Sequence, residues 1–218
     1  MDPEVAQAVY AVGRITPGGV ALLGTCFGVT PRLLATAGHV VNHSDEDLVV
    51  VLTKLTSLLQ YQDTTNNQVE SIRVRIVRYD PIHDIALLEP SETPALLKFP
   101  YTLGGADEIP PGGAVITLGF PHADTGRLVL TQQNTMVGAR ILLGVGPIKV
   151  KHLVLNVQAR PGQSGGPVFI QGKNRVCGML IGGYSPVAEG SISLGGINPH
   201  TLHQTTHAVS AEYIRGLL

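Results

Sequence analysis

Apolar and polar positions alternate over short runs along most of the chain, and turn residues separate the runs. Alternation with period two places successive side chains on opposite faces of a strand. It predicts strands over 5–15, 20–29, 33–36, 48–53, 72–79 and 85–89. A Pro- and Gly-rich stretch from Pro90 to Gly113 interrupts the pattern, and 96–113 is expected to be a linker crossing the surface. A second series follows over 114–119, 128–137, 139–143, 149–157, 168–170, 176–181 and 205–209. At the end, Ser210 precedes Tyr213, Ile214 and Leu217 with helical spacing, predicting a short helix over about 210–217 capped by the serine. The chain therefore divides into two all-β halves, 1–95 and 114–218.

Composition sharpens this picture. With 218 residues, 44% of them hydrophobic and 14% charged, the chain is long enough to build a substantial core without staples. Its 26 glycines and 15 prolines favour many short strands over long helices. The net charge is −1 and the basic residues are scattered, which excludes the electrostatic footprint of nucleic-acid or anionic-membrane binding. Arg73, Arg75 and Arg78 form the densest basic stretch; the first two alternate with Ile72, Val74 and Ile76, as on the wet face of a strand. No apolar run reaches the length of a membrane span. The N-terminal MDPEVAQAV has acids where a secretory leader has bases, so a cytoplasmic location is expected. Cys26 and Cys177 lie in apolar, strand-like stretches and are expected to be buried free thiols of a reducing compartment.

Three segments carry candidate chemistry. Ser164 sits in Arg160-Pro161-Gly162-Gln163-Ser164-Gly165-Gly166-Pro167, a serine among three glycines. A serine hydroxyl needs a base to take its proton and donors for the oxyanion. A tight glycine turn can aim the Gly162 and Ser164 N–H groups at one point. The same residues fit the nucleophile elbow of α/β-hydrolases, but that elbow feeds a helix and has its acid and histidine downstream; here strand-like Val168-Phe169-Ile170 follows. His39 ends an apolar strand after Ala37-Gly38, and an imidazole suits a general base at neutral pH. Asp84 stands directly before an apolar strand, where pairing with a histidine ring would satisfy it. Asp80 is its rival and His83 a second candidate base, though Asp80 precedes a proline and reads as a turn residue. His200, His203 and His207 invite a metal reading, which Pro199, Thr205 and Thr206 argue against by breaking a helical face. No metal and no cofactor are expected.

In the order His, Asp, Ser, these segments resemble the motifs of trypsin-like serine proteases. TAGHV resembles T-A-A-H, HDIALL resembles D-I-A-L, and PGQSGGPV resembles G-D/N-S-G-G-P. The HtrA-type protease domain and the glutamyl endopeptidases are similar in flavour, and GTCFGVT, LGFP and GMLIGG add to the likeness. The resemblance implies two perpendicular, six-stranded antiparallel β-barrels with the site in the cleft between them. His39 and Asp84 would come from the first barrel and Ser164 from the second. It further implies an endopeptidase working through an acyl-enzyme, with Gly162 and Ser164 forming the oxyanion hole. A specificity pocket is implied beside Gln158, Ala159, Leu180, Gly182 and His207, with a small or aliphatic residue expected before the cut. Gln163 replaces the aspartate that pairs with a freshly cut N-terminus, so activation by cleavage is not expected. Val40 stands where secreted relatives carry a cysteine, and Gly38 replaces an alanine. The expected partner is a protein or peptide substrate, and a fused or associated sensor domain would suit a regulated effector. The alternative is a catalytically silent scaffold that keeps the fold.

Overall fold

Six strands of the first half close a barrel, and those of the second half curl into a larger sheet; the computed structural model describes residues 2–65, 68–91, 99–184 and 205–218. The first barrel comprises β1 (Val9–Thr16), β2 (Gly19–Gly28), β3 (Leu34–Ala37), β4 (Leu48–Leu52), β5 (Glu70–Asp80) and β6 (Ile85–Pro90). Its order is β1-β2-β3-β6-β5-β4, and pairing of β4 with β1 closes it. A four-residue helix, α1 (Gly38–Val41), follows β3 directly.

The second system contains β7 (Thr102–Leu103), β8 (Ala114–Gly119), β9 (Thr131–Val145), β10 (Ile148–Leu155), β11 (Pro167–Ile170), β12 (Arg175–Tyr184) and β13 (Thr205–Ser210). The sheet order is β11-β8-β9-β10-β13-β12-β7. Because β11 also pairs with β12, six of these strands form a ring, to which β7 is added in parallel. The terminal helix is α2 (Glu212–Leu217).

Local chemistry explains where the elements depart from the expected pattern. Residues Pro3–Ala8 form a 3-10 turn rather than the start of a strand, because Pro3 stands in the first turn and the Asp2 carboxylate accepts the Glu4 N–H. One strand, β9, spans the two predicted over 128–143. At Gly138 the ladder with β10 slips register instead of breaking, since a Cβ there would lie 2.3 Å from Asn156 Oδ1. Ser210 does not cap α2: its hydroxyl accepts the Ala106 N–H at 2.9 Å, and Ala211 is the cap residue. Arg73 and Arg75 lie on the exposed face of β5 and pair with Asp47 and Glu89.

The main core runs through both halves, from Val9, Phe27 and Leu87 to Phe120, Phe169 and Met179. Tyr101 joins them. It is buried, its hydroxyl donates to Gly28 O at 2.7 Å, and its ring meets Phe169 edge-on at 5.1 Å. A second core, including Val115, Leu153, Cys177 and Leu180, fills the interior of the second sheet. Cys26 and Cys177 are both buried free thiols. Among the described residues no helix is long and apolar enough to cross a membrane.

Candidate active site

Asp84 is the last residue of the turn between β5 and β6 and has φ +54°, a left-handed conformation that aspartate tolerates better than most residues. There it receives three bonds from the start of α1. Gly38 N–H donates to Asp84 O at 2.9 Å, His39 N–H to Oδ1 at 2.8 Å, and the His39 ring nitrogen Nδ1 lies 2.6 Å from Oδ2. An ionised carboxylate only accepts, so the proton of a neutral His39 sits on Nδ1 and leaves Nε2 as the basic atom. The His39 side chain is 48% exposed and open to a reactant.

The glycine before His39 has a physical reason. A Cβ on Gly38 would lie 3.0 Å from both Asp84 Oδ1 and the Tyr79 hydroxyl. That space belongs to Tyr79, whose ring packs on His43 at 3.8 Å. Burial, and then the charge of Asp84, push the Tyr79 hydroxyl pKa up.

The rival acid is committed elsewhere. Asp80 Oδ2 lies 2.6 Å from His83 Nδ1, while Oδ1 accepts the N–H groups of Ile82 and His83. Burial raises the Asp80 pKa, but these bonds outweigh it and hold it below the ordinary value. The His83 ring stacks on Tyr213 of α2 at 3.9 Å. Asp80 and His83 thus fasten the turn that carries Asp84.

In the serine loop, every carbonyl from Arg160 to Ser164 has a donor: Gln163 N, His122 N, Thr25 Oγ1, Gly166 N and Thr25 N in turn. Arg160 N–H donates to Gln163 Oε1. Among the described residues, the backbone groups from Arg160 to Ser164 left without a protein partner are the N–H groups of Gly162 and Ser164. Gly162 has φ +91° and Gly165 φ +85°. A Cβ on Gly165 would stand 2.0 Å from Thr25 O and 2.4 Å from Thr36 Oγ1, so the loop presses on the strand ends just before His39.

Thr25, quoted above within GTCFGVT without a role, is bonded to the serine loop. Its N–H donates to Ser164 O at 2.9 Å, and its hydroxyl donates to Gly162 O at 2.8 Å and accepts the Phe120 N–H at 3.1 Å. Its carbonyl accepts the Thr36 hydroxyl. A polar residue within the apolar run of β2 was the available signal, because a buried hydroxyl needs partners.

The structure pairs Asp84 with His39 but shows no bond from His39 to Ser164. Among the described residues the Ser164 hydroxyl takes part in no hydrogen bond. Such contacts often tighten only when substrate binds.

Of the residues expected around the specificity pocket, Leu180 is buried in the second core, its backbone bonded to Gly165 and Gly166. Gly182 has φ +136° and, among the described residues, nothing lies within 4 Å of where its Cβ would stand; it sits beside a register slip opposite Ala208 and His207. Ala159 N–H donates to Thr206 Oγ1 at 2.7 Å, and Gln158 precedes it on the same segment. His207 is half-buried, and burial lowers its pKa. His200 and His203 lie outside the described residues, among which no cluster could hold a metal ion.

A family model for the trypsin-like peptidase domain matches residues 24–179. Among solved structures, the MamO protease domain from Magnetospirillum magneticum in its apo form superposes with a TM-score of 0.68 at 20% identity, over 99% of this chain and 97% of that one. The active form of the Rv3671c protease from M. tuberculosis gives 0.67 at 21% identity, over 98% and 80%. The HtrA-type protease AlgW with a decapeptide gives 0.65 at 16% identity, over 96% of this chain and 62% of that one. No curated protein sequence matches the chain.

Proposed function

Since the chain belongs to the trypsin-like peptidase family, we propose that it is a serine endopeptidase using Ser164, His39 and Asp84. The observation that carries this reading is the 2.6 Å contact from His39 Nδ1 to Asp84 Oδ2, which leaves Nε2 free to act as a base. In the proposed cycle, Nε2 takes the Ser164 hydroxyl proton as Oγ attacks the peptide carbonyl. The carbonyl oxygen becomes an oxyanion, which the Gly162 and Ser164 N–H groups receive. The protonated imidazole returns its proton to the departing amine, leaving an acyl-enzyme. Water, deprotonated by the same nitrogen, then releases the acid and restores the serine.

The room that the described residues leave beside Gly182 supports a pocket there, and a small or aliphatic residue before the cut is the proposed preference. The two unbridged thiols support work in a reducing compartment. The missing bond between Ser164 and His39 favours a second reading, a silent scaffold that keeps the fold. A fluorophosphonate probe separates the two. Labelling of the wild type but not of Ser164→Ala, with peptide hydrolysis falling by roughly 10⁴-fold or more in that variant, is the expected result. An unlabelled wild type would sink the protease reading.

A further inference from the structure

The residue before the proposed nucleophile is fully buried and uncharged, and both ends of its side-chain amide are engaged. Gln163 Oε1 accepts the Arg160 N–H at 2.7 Å, and Gln163 Nε2 donates to Gln133 Oε1 on β9 at 2.8 Å. Its backbone completes the pattern: Gln163 N–H donates to Arg160 O at 3.1 Å and Gln163 O accepts the Gly166 N–H at 3.0 Å. The exchange between Arg160 and Gln163 has the reciprocity of a capping box, in which a side chain three residues on reaches back to a backbone N–H. Room for it comes from β8, where Gly119 lies so close that a Cβ would touch the Gln163 Cα and Cβ at 3.4 and 3.5 Å. A buried amide is costly unless its donors and acceptor are matched, so an arrangement of this kind holds one loop conformation over others.

We propose that Gln163 and Gln133 form a built-in brace that presets the oxyanion loop, which makes Gln163 a positioning residue acting through the Gly162 and Ser164 N–H groups. The inference rests on the protease reading of the same site. The peptide from Arg160 to Ser164 is anchored on one side by Thr25, from the first barrel, and on the other by Gln133, from the second. The two N–H groups left over lie between these anchors. Donors aimed in advance at a developing charge need no rearrangement during the reaction. A neutral amide pair does this in the uncut chain and needs no new N-terminal ammonium group. Its contribution therefore does not depend on cleavage.

The test addresses Gln133, which touches none of the reacting groups. Gln133→Leu removes the acceptor for the Gln163 amide, Gln133→Glu keeps one, and Gln132→Leu on the exposed face of β9 is the control. Peptide hydrolysis by Gln133→Leu should show kcat reduced about 10-fold or more, short of the roughly 10²–10³-fold cost of deleting an oxyanion donor. KM should stay within about two-fold, the split expected of a group that acts on the transition state. Gln133→Glu should restore kcat, and Gln132→Leu should match the parent. Amide hydrogen exchange, read on the same samples, should show the Arg160 N–H protected in the parent and in Gln133→Glu and released in Gln133→Leu. It reports on the brace even where turnover is slow. A parent labelled by fluorophosphonate together with an unchanged kcat in folded Gln133→Leu overturns the brace alone. A parent that is not labelled overturns the protease reading and this inference with it.

Discussion

Both carboxylate oxygens of Asp84 are engaged by one residue, His39: Oδ1 by its backbone N–H at 2.8 Å and Oδ2 by its ring at 2.6 Å. The acid therefore fixes where α1 begins as well as which ring nitrogen carries the proton. Asp84→Asn keeps the size of the side chain, but its amide can donate to Nδ1 and shift the ring proton to Nε2. Hydrolysis by this variant should fall by roughly 10⁴-fold, the cost of the wrong tautomer in a triad. Asp80→Asn, which disturbs only the His83 pair, should stay within about ten-fold of the parent. Steady-state kinetics on one peptide substrate compares the two, and equal losses would show that the acid has been misassigned.

Thr25 gives a test of how the halves are joined. Thr25→Val keeps the shape of the side chain but leaves Gly162 O and the Phe120 N–H without their hydroxyl partner. The variant should lose about 1–3 kcal/mol of stability, the cost of an unsatisfied buried group. Its kcat should also fall, because Gly162 belongs to the proposed oxyanion loop. Denaturant unfolding and kinetics on the same preparation check both.

Acid should weaken the fold through His152. This residue of β10 is buried, and burial holds its pKa below the usual histidine value. The bond from its Nδ1–H to Val150 O opposes that shift, His207 and His83 add to it, and Asp84 opposes it. The unfolded chain then binds the proton more readily than the folded one. Stability should be complete above about pH 6.5 and decline as the pH falls below it, by at most about 1.4 kcal/mol per unit for one proton. Urea titrations between pH 8 and pH 5 measure the slope, which His152→Gln should reduce, the half-buried His207 adding a share of the same sign.

The thiols should be silent in the native protein. Burial pushes the Cys177 pKa up to about 12 and that of Cys26 higher still. Neither is a reactive thiolate at neutral pH. A thiol-specific chromogenic reagent should find no reactive cysteine before denaturation and both afterwards. Rapid labelling in the native state would show that one of these strands opens.

Much of the barrel was legible in the sequence because a half-buried strand must alternate. Runs such as 48–53 and 114–119 became β4 and β8 with shifts of at most one residue. Less legible were features decided by a tertiary partner. Ser210 has the chemistry of a helix cap, but the Ala106 N–H, distant in sequence, claims its hydroxyl. Leu180 stands beside the expected pocket in sequence, yet its side chain turns into the second core. The cost of burying a lone carboxylate pointed to a histidine partner for Asp84, and the resemblance to trypsin-like proteases implied that it is His39. The roles of Thr25 and Gln163 were not legible in this way, because their partners, Gly162, Phe120 and Gln133, come from segments that only the folded chain brings near.

The stack of His83 on Tyr213 ties the last helix of the chain to the turn that ends in Asp84. The Tyr213 hydroxyl also accepts the Lys151 N–H of β10, so the ring is held from both sides. The stack thereby places α2 one residue away from the carboxylate that pairs with His39. Loss of the Tyr213 ring should therefore loosen the turn that carries Asp84, so a residue far along the chain bears on the pair that Asp84 makes with His39.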